Sequence, residues 1–108
     1  MYTRVVSFTV FPDLCEVTRE VIHNEITPVL LEQPGMVDCV ILQSSDEPNQ
    51  FLGITFWEAR NHAEHYHSNV YSKLIELLKP YIDGNADVRF FTVDTSTFHH
   101  IEAGRLVA

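Results

Sequence analysis

A chain of 108 residues, 45% hydrophobic and 20% charged, has room for one globular domain and not for two, and is too apolar to be disordered. A net charge of −8 argues against nucleic acid and against anionic membrane surfaces, both of which are bound by basic faces. No stretch reads as a signal peptide or a membrane span, so the expected compartment is the cytoplasm, and Cys15 and Cys39, which lack C-x-x-C spacing, are expected to be reduced and buried.

Residues 2–11 (YTRVVSFTVF) are rich in β-branched and aromatic side chains and read as a strand. Thr3, Val5, Ser7 and Thr9 share one face and Arg4, Val6, Phe8 and Val10 the other, both apolar enough to need cover. Pro12-Asp13 punctuates, and Asp13 with Glu16 has the spacing of a capping box at a helix start. Leu14, Val17, Val21, Ile26 and Val29 to Leu31 keep helical spacing as far as Pro34-Gly35, with Pro28 expected to kink the helix or cap a second short one. Residues 36–43 (MVDCVILQ) form a nearly continuous apolar run, expected as a strand covered on both faces. Ser44 to Gln50 is a polar loop, and residues 51–57 (FLGITFW) complete a hairpin. Glu58 to Ile82 returns to helical spacing, with a break expected at Ser68-Asn69 and Ser68 as the second cap. Asp83-Gly84-Asn85 is a stop and turn, and residues 88–93 (VRFFTV) are a fourth strand. The tail, 94–108, carries Phe98, Ile101, Leu106 and Val107, too apolar for a free end.

The order is β-α-β-β-α-β, an α+β domain over residues 1–108. Two helices cover one face of a four-stranded sheet, whereas several of these strands are apolar on both. A second sheet from another copy is the economical cover, so a homodimer is expected, with the tail packed on the partner.

No phosphate loop or nucleophile elbow is present. His62, His65 and His67 cluster in the second helical region, where the first two are one turn apart; a solvated face suits all three better than a metal, and no metal site is assigned. His99 and His100, adjacent on the tail, are expected at the surface. Trp57 ends a strand and shares a face with Thr55 and Gly53, where the missing side chain of Gly53 leaves space for a cavity. Tyr66 and Tyr71 can reach the sheet and offer hydroxyl groups to such a cavity. Asp38 is expected at the rim of its strand.

The strings P-V-L-L-E-Q-P-G (28–35), F-L-G-I-T-F-W-E (51–58), A-E-H-Y-H (63–67) and V-R-F-F-T-V (88–93) resemble the antibiotic biosynthesis monooxygenase superfamily over about residues 1–95. The resemblance implies a ferredoxin-like antiparallel sheet, paired with a second copy into a dimeric α+β barrel, and a pocket between sheet and helices. Some members oxygenate aromatic polyketides with O₂ and no metal, flavin or other cofactor, the deprotonated substrate itself supplying electrons. Others degrade haem. Carried over residue by residue, the strand-end Trp matches Trp57, the Asn four residues before it is replaced by Gly53, the first-strand Asn of the haem degraders falls near Ser7, and their haem-ligating His falls near Ile75, which cannot bind iron. The resemblance thus implies a cofactor-independent monooxygenase, or a related small-molecule enzyme, acting on an apolar or aromatic compound. Trp57, Ser7, Thr55 and Gly53 would contact the substrate, and His67, Tyr66 or Tyr71 would handle the proton. A ligand-binding or structural dimer without turnover is the alternative, and haem binding a third reading.

Overall fold

A computed structural model describes residues 1–107. Four strands, β1 (Tyr2–Thr9), β2 (Met36–Gln43), β3 (Gln50–Trp57) and β4 (Asp87–Thr92), form an antiparallel sheet in the order β2-β3-β1-β4. Helical segments α1 (Cys15–Val21), α2 (Thr27–Leu31), α3 (Arg60–Asn69) and α4 (Tyr71–Leu78) complete the expected β-α-β-β-α-β, ferredoxin-like order. Two-residue strands β5 (Ile101–Glu102) and β6 (Arg105–Leu106) pair in the tail.

Strand register sorts the side chains. Arg4 stands opposite Thr55, Val6 opposite Gly53 and Phe8 opposite Phe51, so these six share one face. That inner face meets the helices: Phe8 and Phe51 stack at 5.6 Å between ring centroids, and Val21, Ile22, Ile26, Leu30, Leu74 and Leu78 close over the sheet. Each such side chain contributes about 1.5–3 kcal/mol by leaving water. Thr3, Val5, Ser7 and Thr9 lie on the outer face with Leu52, Ile54 and Phe56.

Several local expectations are corrected. Asp13 and Glu16 form no capping box: Pro12–Leu14 is a 3₁₀ turn without a side-chain cap, Glu16 pairs with Arg19 instead, and Thr18 donates its hydroxyl back to the Leu14 carbonyl at 2.7 Å. Pro28 stands in the first turn of a second short helix, α2, which is one of the two outcomes expected of it. Ile22–Ile26 widens into a π-helical segment that runs directly into α2. A proline nitrogen cannot donate and its ring crowds the carbonyl four residues back, and the wider turn accommodates both. The second break falls at Val70 (φ −121°, ψ −40°) rather than at Ser68, which caps nothing. Asn69 Nδ2 instead donates to the His65 carbonyl at 2.9 Å, closing the end of α3.

Strand β2 is an edge strand and is not covered on both faces: Val37, Ile41 and Leu42 are 40%, 38% and 46% exposed. The tail covers one end of its own chain's outer face. His99 packs tilted against Phe56 at 4.8 Å between centroids and its side chain is only 10% exposed, so it is not the surface residue expected from its position. Ile101 is buried, while Phe98 and Leu106 remain open. Among the described residues no helix is long and apolar enough to cross a membrane.

Candidate functional site

A cavity of about 60 Å³ lies between the inner face of the sheet and the helices, with walls that are almost wholly apolar. Val6, Phe8 and Gly53 form its floor, Ile22 and Ile26 of the π segment one side, and Leu74 and Ile75 of α4 the other. Arg4, Thr55, Tyr66 and Tyr71 supply the polar groups. A Cβ at Gly53 would meet Ile41 Cδ1 at 3.6 Å, so the glycine leaves space on this side of the cavity. A groove of about 280 Å³ adjoins the cavity at Ile22 and Ile41, which line both, along the edge strand β2.

Arg4 was not singled out by motif, yet it organises the site. It is 2% exposed, on a central strand. Its guanidinium carbon lies 3.8 Å from the Tyr71 ring centroid and 5.2 Å from that of Tyr66. Nε and one terminal nitrogen both donate to His67 Nδ1 at 3.2 Å. No carboxylate of the described residues lies within 4.0 Å of it. Burying a cation costs several kcal/mol. Two aromatic faces return about 0.5–2 kcal/mol each. Burial accordingly holds Arg4 below its usual pKa, with Tyr66 and Tyr71 opposing. The clue was legible in the sequence: an arginine interrupts the apolar face Val6-Phe8-Val10, where an unpaired charge needs a reason.

Tyr66, Tyr71 and His67 meet around Arg4. Tyr66 is pushed up to about 12, chiefly by burial, so its hydroxyl is a hydrogen-bond donor and not a proton acceptor. His67 stacks on Tyr71 at 5.6 Å between centroids, and its Nδ1 lone pair faces Arg4, so the neutral Nε2–H tautomer is the form present. Burial, then the Arg4 charge, lowers its pKa. Cys39, also in the wall, has its thiol raised by burial and then by Asp38.

Two expected contacts are absent. Ser7 stands on the outer face and does not line the cavity, because strand alternation places it opposite Leu52 rather than Gly53. Trp57 is fully buried beneath Tyr66, ring centroids 5.1 Å apart, and anchors the core rather than the cavity wall. Its Nε1–H is committed to Thr55 Oγ1 at 2.9 Å, and Thr55 in turn donates to the Arg4 carbonyl at 3.3 Å. Ile75, at the place of the haem ligand in the resemblance, lines the cavity as a hydrocarbon. His62 packs under Gly35 and His65 points outward beside Asn69; among the described residues no three His, Cys, Asp or Glu side chains gather as metal ligands.

A four-stranded antiparallel sheet with helices packed on one face defines a small α+β domain of the ferredoxin-like class. The chain belongs to the antibiotic biosynthesis monooxygenase family, whose model matches residues 1–75. Similar solved structures include a protein of Nitrosomonas europaea assigned as an antibiotic biosynthesis monooxygenase, 22% identical, covering 84% of this chain and 96% of that one at a TM-score of 0.70. A protein of Deinococcus radiodurans with the same assignment is 12% identical, with coverages of 89% and 95% and a TM-score of 0.75. SnoaB, a cofactor-independent oxygenase from Streptomyces nogalater, is 19% identical, with coverages of 89% and 95% and a TM-score of 0.68. At these identities the likeness is one of fold. No curated protein matches the chain by sequence.

Proposed function

We propose that the chain is a small-molecule enzyme of the cofactor-independent monooxygenase type, acting on an apolar, aromatic compound in the cavity under α4. The observation that carries this reading is an apolar chamber whose wall includes Arg4, Thr55, Tyr66 and Tyr71. Family membership and the fold shared with an oxygenase such as SnoaB support it. In such a reaction a substrate CH₂ flanked by carbonyl and aromatic groups loses a proton, and the resulting carbanion passes electrons to O₂. One oxygen atom enters the substrate as C=O and the other leaves as water. The protein contributes a dry chamber, orientation, and donors aimed at the anionic oxygen.

The test is oxygen consumption with an anthrone and a smaller activated naphthol, corrected for spontaneous oxidation. Uptake of one O₂ per quinone formed, above the protein-free rate, is expected. Equal rates with and without protein would overturn the reading.

A second reading, ligand binding without turnover, is favoured by size. The enclosed volume is about 60 Å³, below the roughly 150 Å³ of an apolar cavity that accepts benzene. A ligand must therefore extend through Ile22 and Ile41 into the adjoining groove. Saturable binding of the same compounds with no oxygen uptake would select this second reading.

The outer sheet face is assigned to a second copy of the chain. Phe91 and Leu42 are 50% and 46% exposed there, and Phe98 and Leu106 of the tail 78% and 80%. This is an apolar surface that a monomer would leave in water.

A further inference from the structure

The chamber of about 60 Å³ and the groove of about 280 Å³ beside β2 are separated by two side chains, Ile22 and Ile41, which line both. The two isoleucines are held very differently. Ile22 is 6% exposed and belongs to the π segment, where its N–H donates to the Thr18 and Arg19 carbonyls and its own carbonyl accepts from the Thr27 N–H. Ile41 is 38% exposed on an edge strand, with β3 on one side and no strand on the other. Its Cδ1 reaches over Gly53, its partner in the β2–β3 register, where there is no Cβ to hold it. A side chain with solvent on one side changes rotamer without displacing its neighbours, on the picosecond to nanosecond scale; a close-packed one must wait for them to move.

A second connection joins the walls of the groove. Arg19 Nη1 donates to Gln43 Oε1 at 3.1 Å, tying α1 to the end of β2, and both residues line the groove. The Arg19 side chain is 50% exposed, so water competes for this hydrogen bond and it breaks readily.

We infer that ligands reach the chamber from the β2 edge, through a gate in which the Ile41 side chain swings against a fixed Ile22, with the Arg19–Gln43 hydrogen bond as a clasp across the same path. This rests on the reading of the chamber as a small-molecule site. With Ile41 turned out, chamber and groove become one space, larger than the roughly 150 Å³ that accepts benzene. With Ile41 turned in, they are separate, and whatever occupies the chamber is shut off from water. Ile41 thereby sets the bulk of the ligand admitted and the rates at which it enters and leaves, and has no part in the chemistry.

The experiment mixes the full chain with N-phenyl-1-naphthylamine, a neutral apolar molecule that fluoresces on leaving water, and reads kon and koff by stopped flow. The chains compared are the parent, Ile41→Ala, Ile41→Phe, Arg19→Ala and, as a control, Leu77→Ala. Leu77 is as exposed as Ile41, at 38%, and stands on α4 without lining the chamber. Ile41→Ala should raise kon and koff together by about tenfold and Ile41→Phe should lower both, with a smaller change in Kd, because a gate alters the barrier more than the end states. Arg19→Ala should raise both about twofold, and Leu77→Ala should change neither. Equal kon in the parent and both Ile41 variants, or a change in Kd carried by koff alone, makes Ile41 a wall and overturns the gate while leaving the small-molecule site. A rise in Leu77→Ala as large as in Ile41→Ala assigns the effect to general loosening and also overturns the gate. Unchanged rates in Arg19→Ala overturn the clasp. Binding by Ile41→Ala with none by the parent supports the gate, shut in the parent to a molecule of this bulk. No saturable signal from any of the chains overturns both the gate and the site.

Discussion

Arg4 donates both its Nε–H and a terminal N–H to a single atom, Nδ1 of His67, at 3.2 Å each. Protonating that nitrogen would remove the acceptor and set two cations against each other. His67 therefore titrates below its ordinary value near 6.5, burial first and Arg4 second. In the unfolded chain it titrates normally, so below about pH 6.5 the unfolded state binds more protons and stability must fall as pH falls. The loss begins near the ordinary histidine range and levels off once His67 itself is protonated. Urea midpoints measured between pH 8 and pH 5 should show this decline, and His67→Phe should make it shallower. An identical decline in the variant would assign it to the other histidines.

Thr55 joins two parts of the core, accepting from Trp57 Nε1 and donating to the Arg4 carbonyl. Thr55→Val keeps the shape and strands a fully buried indole N–H, which costs about 1–3 kcal/mol. Thr55→Ser keeps the oxygen and should recover most of that. Chemical denaturation of the two variants side by side checks the difference, and equal losses would show that packing, not the hydrogen bond, matters here.

Gly53→Ala should separate stability from binding. The added methyl meets Ile41 Cδ1 at 3.6 Å, an ordinary contact, so nothing has to move. Glycine within a strand is less favourable than alanine by about 0.5–1 kcal/mol, so the variant should be as stable as the parent or slightly more so. The same methyl narrows the chamber floor, and affinity for N-phenyl-1-naphthylamine should fall severalfold. A variant that loses stability would mean the floor is already filled.

Gly35 adopts φ +78°, and a Cβ there would stand 2.2 Å from His62 Cγ. Gly35→Ala therefore combines a left-handed backbone penalty of about 1–2 kcal/mol with a ring clash. His62→Ala on the same background should relieve the second part and leave the first. A double-mutant cycle by urea denaturation reads the coupling directly. Additive losses would place His62 outside the clash.

The exposed outer face leads to a definite oligomeric expectation. Light scattering after gel filtration should give twice the chain mass, and Leu42→Glu, which charges the open end of the sheet, should shift it toward monomer with little change in the far-ultraviolet dichroism. A monomeric parent chain would sink the assignment of that face.

How much of this was readable without coordinates differs from element to element. The strand runs 36–43 and 51–57 were visible in composition because β-branched and aromatic residues mark strands, and the hairpin followed from the polar loop between them. The π segment was not visible: it answers a clash between Pro28 and the preceding turn, and a helix relieves such a clash by widening or by bending, which the local sequence does not decide. Gly53 was legible as vacant space because alternation alone places it on the face of Thr55. Trp57 was misread as a wall of the cavity because position on a face does not say how deeply a side chain is covered.

By itself the amino-acid pattern determined the order of elements and the two faces of each strand, because these depend on local periodicity. Only the tertiary structure decided which face meets the helices. That choice moved Ser7 away from the cavity, sank Trp57 into the core, and brought Arg4 against His67, 63 positions along the chain. The reason is physical: a charge on a strand is paired or left unpaired by what packs over it, and packing between distant segments leaves no trace in the spacing of either one.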